Sequence, residues 1–292
     1  MGGSLFRDVG PVTFGGSAFK CVNTATIAFG SDVLRGKCGA AVSERYQGLT
    51  NLSVEITLEN SNPFRKVHPG DTGELSIGIP FAIPGIGVPS AGRTLSFAST
   101  TLTGRSGRIT KDELASGTYT FRARSSDGLT IPVVVGGAGA PFEPADATTF
   151  IRDIKSFAFS GDPGISPGDV CVRSFEFSEN AELLENQCQG ELFPTYVGIT
   201  GLNLEATAVF RDVVVQSPAG GLTLGSKGTI TMSALAGSTT SCIDLTPSGS
   251  VKMENMNINE STITARHGDF AEVSVSWTGH GTADKEAIAI IT

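Results

Sequence analysis

The residues of this chain best suited to chemistry are five cysteines, at positions 21, 38, 171, 188 and 242, of which the first four form two pairs of equal spacing. A structural zinc site wants Cys-x-x-Cys knuckles or histidine beside cysteine, and neither pattern occurs. The repeated spacing leaves two readings open: a disulfide in each pair, or thiols kept reduced and buried in a chain that matures in the cytoplasm. His68, His267 and His280 are far apart, and the first and last are expected in exposed loops near Gly or Pro. His267-Gly268-Asp269 reads as a turn. There is no nucleophile elbow, no phosphate loop and no pair of carboxylates that stands out from surface charge. The expectation is a protein that is not an enzyme, with no catalytic residues, no cofactor and no metal.

What must position these residues is visible as a repeat. Setting residue i against residue i+150 aligns Cys21 with Cys171, Val22 with Val172, Cys38 with Cys188, Tyr46 with Tyr196, Gly48 with Gly198, Thr50 with Thr200, Leu52 with Leu202, Glu55 with Glu205 and Thr57 with Thr207, without a gap. Seven of the twenty positions from 38 to 57 are identical, where chance would give about one. Farther on the offset drifts: Gly73–Ile77 matches Gly228–Met232, and Ser125–Gly128 falls opposite Thr278–Gly281. Two copies of one fold are expected, 1–145 with an N-terminal arm and 146–292. The Gly, Ala and Pro run from Gly136 to Thr149 reads as the linker.

Each copy alternates apolar and polar residues with the period of a strand, in Leu52–Leu58, Leu202–Val209, Gly117–Ala123, Gly228–Ala234 and Ala271–Trp277. The single Trp277 is expected in a core or a subunit interface. A short helix is expected over Ser178–Asn186, capped by Ser178 with acidic residues behind it, and a weaker one over Ser31–Gly36. Gly78–Val88 is strongly apolar, but Pro80, Pro84 and Pro89 forbid a helix there and the segment reads as a loop. Long polar loops are expected over Asn60–Thr72 and Arg211–Lys227, the second as a hairpin projecting around Pro218–Gly221. The fold class is therefore all-β with one or two short helices, as tandem duplicated sandwich or barrel domains.

Hydrophobic residues make up 39% of the chain and charged ones 17%, a balance suited to sheets with substantial cores. No apolar run is long enough for a membrane helix, and no secretory signal is apparent at the N-terminus. A net charge of −8 argues against a groove that grips nucleic acid and suits a surface that DNA passes without sticking.

Short alternating strands, one small helix, a long strand-connecting loop and the C-terminal stretch Met256–Ile291 together resemble the tail-tube (major tail) protein family of long-tailed bacteriophages. The Pro-rich insert at 79–92 departs from that pattern. The resemblance implies a virion protein, assembled in the host cytoplasm, whose duplicated domains form trimeric rings of pseudo-sixfold symmetry stacked into a tube for DNA ejection. It implies as partners other copies of the chain, tail proteins such as the tape measure, hub and terminator, and double-stranded DNA passing through an acidic lumen, but no membrane. Contacts between rings or neighbouring domains are expected at Asn60, Phe64, Arg65 and His68 in one loop and at Arg211, Val214, Pro218, Gly220 and Leu222 in the other. A tail hub or distal-tail ring protein is the neighbouring alternative. A tandem sandwich adhesin that binds carbohydrate is another, disfavoured by an aromatic content of 7% dominated by Phe.

Overall fold

The computed structural model describes the chain except residues 1–4, 7–8, 20–21, 38–44, 61, 84–85, 139–148, 169, 187, 189, 212–221, 239–245, 266, 268–269, 282–287 and 292. The described residues are all-β. In the first half the strands are β1 (Leu5–Phe6), β2 (Val12–Phe14), β3 (Ser17–Phe19), β4 (Val22–Lys37), β5 (Arg45–Asn60), β6 (Thr72–Ile83), β7 (Ile86–Thr110), β8 (Ser116–Ala123) and β9 (Val134–Ala138). In the second they are β10 (Thr149–Phe159), β11 (Val172–Asn186), β12 (Tyr196–Phe210), β13 (Lys227–Ser238), β14 (Thr246–Thr264), β15 (Glu272–Gly281) and β16 (Ile288–Ile291). All are joined in one antiparallel sheet.

Each half pairs its strands in a simple order. The first runs β4-β5-β8-β7-β6-β2, with β9 also on β7. The second runs β11-β12-β15-β14-β13-β10, with β16 also on β14. Val22 pairs with Asn60 and Thr24 with Glu59 across a bulge, and 150 residues on, Val172 pairs with Phe210 and Ser174 with Val209 across another. Val54, Ile56 and Leu58 on β5 are fully buried, as are Leu204, Ala206 and Ala208 on β12, while Glu55 and Glu205 face outward. This alternation directs one side of each strand into a core.

There are two cores. One gathers Val12, Phe14, Phe19, Ile56, Leu75, Phe97, Tyr119 and Phe121. The other surrounds Trp277, whose indole packs against Phe157 and Phe159, each with its ring centroid 5.8 Å away. The cores exchange one aromatic each: Phe64, from the first half, is buried in the second core, and Phe193, from the second half, in the first.

Several sequence expectations need correction. Residues 178–186 and 31–36 are strand, not helix. Glu, Ala and Leu at 179–186 favour helix locally, but a strand here satisfies its backbone against β12 and, over Ser174–Asn180, against β7 as well. Gly78–Val88 is not a loop: β6 and β7 run through it as a hairpin that closes at Ile83 and Ile86. Its prolines exclude a helix without excluding a hairpin tip. Gly136–Ala138 belongs to β9 rather than to a linker, and the remainder of that run to 148 lies outside the described residues. His280 sits on β15, not in a loop. Cys171 and Cys188 are free and exposed, so neither a disulfide nor burial describes that pair, and Cys21, Cys38 and Cys242 lie outside the described residues.

Trp277→Ala empties the centre of the second core and should cost about 3–5 kcal/mol of stability. Urea unfolding monitored by circular dichroism measures this loss.

Candidate assembly interface

The feature that joins the halves is a seam between β7 and β11. Seven residue pairs, from Ser174 opposite Thr110 to Asn180 opposite Gly104, bridge them. The inward row of the seam places Phe175 opposite Ile109, Phe177 opposite Gly107 and Glu179 opposite Arg105. Gly107 is required by this packing, because a Cβ there would strike the Phe177 ring and lie 2.7 Å from Pro63.

Arg105 fastens the seam. Its guanidinium and the Glu179 carboxylate are both buried, with Nε donating to Oε2 at 2.8 Å. The other two nitrogens donate to the carbonyls of Val67, at 2.6 Å, and Ile288, at 2.7 Å. One side chain therefore ties together β7, β11, the loop after β5 and β16. Two further Arg-Glu pairs cross the seam nearer solvent, Arg108 with Glu176 at 3.1 Å and Arg122 with Glu185 at 2.6 Å. In all three, the first half supplies the cation and the second the anion.

The turn between β11 and β12 adds a second clasp. Leu192 and Phe193 both donate their N–H to the carbonyl of Gly128, at 2.7 and 2.9 Å, and Ser125 N–H donates to Pro194 O at 2.9 Å. The 125–130 turn that receives them is shaped by Asp127. Hydrogen bonds from Thr130 N–H and Oγ1, then Leu129 N–H and Ser125, hold its carboxyl well below the usual carboxylate range. Gly128 has a φ of +70°, and a Cβ there would strike Glu191.

In the loop expected to carry contacts, Asn60 and Phe64 are buried within the chain, Arg65 and His68 are half-buried, and Lys66, Gly70, Asp71 and Thr72 are exposed. Asn60 is buried and its Oδ1 accepts from Asn62 N–H at 2.7 Å. Phe64 is committed to the second core within the same chain. Arg65 lies over the Phe19 ring at 5.5 Å, and its N–H donates to Tyr119 Oη, which itself donates to Asn62 O. Burial pushes the Tyr119 phenol up to about 12, partly offset by its bond with Arg65. His68 N–H donates to Asp71 Oδ2 at 2.7 Å. In the second loop, Arg211 is exposed and 4.0 Å from Glu272, while Leu222 packs half-buried on the second core. Val214, Pro218 and Gly220 lie outside the described residues.

Sequence reasoning missed Arg105 and Glu179, which are 74 residues apart. A usable signal was present: with the halves aligned 150 apart, Glu176, Glu179 and Glu185 stand against Thr26, Phe29 and Arg35, so the strand that forms the seam is acidic where its counterpart is not.

Two open edges are the other notable features of this sheet. Among the described residues, β4 pairs only with β5, which leaves its other side without a strand. On β14, the stretch from Glu260 to Thr264 pairs with β15 on one side, and β13 ends its pairing at Asn257 on the other. Phe29 on the first edge is 60% exposed and Ile263 on the second 48%. An unpaired edge with exposed apolar side chains is a template for another strand. No protein-family model and no curated protein matches this chain.

Glu179→Ala strands the Arg105 charge in the interior and should cost about 3–5 kcal/mol, whereas the paired change Arg105→Met with Glu179→Leu should cost far less. Thermal unfolding of the two variants makes the comparison. Because the Tyr119 phenol is held above its ordinary value of 10.0 in the fold, its contribution is present below pH 10 and should be lost as pH climbs towards about 12; a urea series across that range reads the loss.

Proposed function

We propose that this chain is a structural protein that works by self-assembly, two related wedges per chain, three chains per ring and rings stacked into a hollow tube of the phage tail-tube kind. The observation that carries the proposal is the β7–β11 seam together with the two open edges. One wedge already completes its sheet with its neighbour inside the chain, and each outer wedge presents an edge of the complementary sort.

The duplication is supported by the pairing order of the two halves. β4, β5, β6, β7, β8 and β9 take the places of β11, β12, β13, β14, β15 and β16, strand for strand. The registers agree: Ile56 pairs with Phe121 as Ala206 pairs with Trp277, and Leu75 with Phe97 as Ile230 with Met253. These registers set β15 against β8 at an offset of 156, three residues from the offset that the sequence alone suggests for Ser125–Gly128.

A head-to-tail contact repeated between wedges closes when each rotates by about 60°, so six wedges, three chains, make a ring in which the β4 and β14 edges are all paired. The net charge of −8 suits a conduit, since an anionic wall repels the phosphate backbone and lets a duplex slide. Within a virion, such a tube would have further tail proteins at its ends and inside it, and DNA as its passenger.

Negative-stain electron microscopy of the purified chain tests the reading. Annular particles or stacked tubes with a central hole are expected; a particle that stays monomeric at high concentration, with no annular form, contradicts it.

A further inference from the structure

Resting on that reading, we infer that the chain joins a second copy of itself by pairing β4 of one copy with the end of β14 of the next, antiparallel, with Ile27 opposite Ile263. The register follows from the seam within the chain. On the β4 to β11 offset of 150, Phe177 corresponds to Ile27. On the β7 to β14 offset of 156, Gly107 corresponds to Ile263. Phe177 and Gly107 face each other across the seam, so their counterparts face each other across the joint.

The occupant is a second copy because the chain already makes this contact once within itself, and the residues on the open edges fit that partner. Positions that are buried in the seam carry apolar side chains left exposed on the edges: Glu179 is 1% exposed, while Phe29, its counterpart, is 60% exposed. The inward row of the joint would be Ala25 with Ala265, Ile27 with Ile263 and Phe29 with Ser261. In the row behind it, Thr26 and Thr264 stand where Glu176 and Arg108 make their ion pair. Among its described members the joint between chains is therefore largely apolar and uncharged, with Glu260 the one ionised residue and Arg266, opposite Thr24, outside the described residues, whereas the seam within the chain is held by ion pairs.

This difference gives the assembly its direction. Were β4 of one copy to invade the β7 edge of another, Arg105 would meet Phe29 and be buried without its carboxylate, and Arg108 would meet Thr26 and lose its ion pair, a costly arrangement. Were β11 to meet β14, Glu176 and Glu179 would meet Thr264 and Ser261. Each edge is matched to one partner, so wedges alternate around the ring in a fixed order.

Cysteine pairing tests the register. Opposed residues in an antiparallel pair alternate between hydrogen-bonded and non-hydrogen-bonded sites, so two double variants cover both rows: Ile27→Cys with Ile263→Cys, and Ala28→Cys with Thr262→Cys. Full-length chains are oxidised under assembly conditions beside the wild type, whose own exposed thiols at 171 and 188 set the background. Peptide mass spectrometry should find residue 27 linked to 263, or 28 to 262, between chains in at least one variant, and neither link in the corresponding single variants. Annular particles that form without either link overturn the register and leave the tube reading standing. Chains that never form rings, wild type included, overturn both. A second readout is independent of oxidation. Phe29→Lys should weaken ring assembly about 100-fold or more with the unfolding temperature of the single chain unchanged, and raising salt from about 50 mM to about 500 mM should leave wild-type assembly within about twofold. Assembly that survives Phe29→Lys, or that dissolves in salt, overturns the uncharged joint.

Discussion

Every backbone N–H and C=O in a strand needs a partner, and this molecule is organised around where those partners come from. Within each half, the strands between the edges satisfy one another. At the boundary between halves the requirement is met by β7 reaching beyond the end of β6 to take β11 as a neighbour. Arg105 makes that meeting specific, since its three donating nitrogens find a carboxylate and two carbonyls on three different elements. The exchange of Phe64 and Phe193 between cores, and the clasp of the 191–195 turn on Gly128, follow from the alignment that the seam imposes.

A buried ion pair contributes little net stability compared with an apolar pair of the same shape, but it strongly penalises wrong partners. That is the sense in which charge is used here. The β7–β11 ladder carries Arg on one side and Glu on the other in two places, Arg105 with Glu179 and Arg108 with Glu176, and the aligned positions on the open edges are Ser261, Phe29, Thr264 and Thr26. In the proposed assembly, folding within the chain and joining between chains would use the same backbone geometry with different side-chain chemistry.

The strands were legible in the sequence because alternation with period two, in stretches such as Leu52–Leu58, is a local signal, and the ungapped offset of 150 residues between the halves is a signal of the sequence itself. What was not legible depends on contacts remote in sequence. Residues 178–186 carry helix-forming side chains and become strand because β7 and β12 flank them, which no local window reveals. The hairpin at 78–88 was obscured by prolines that forbid one structure and permit another. Of the expected contact residues, Phe64 was rightly singled out as belonging to a loop between Asn60 and Thr72, but its apolar ring is spent inside the chain. Phe29 and Ile263 lie outside the alternating stretches that the sequence marks as strands, and nothing local signals that, among the described residues, no strand covers their edges.

The central claim is that two wedges per chain close a ring of six. Native mass spectrometry of the assembled protein counts chains directly. The account predicts a closed species of three chains, about 91 kDa from a chain of 30.2 kDa, and stacks in multiples of three; rings of six chains, or a distribution of dimers and tetramers with no threefold series, would contradict it.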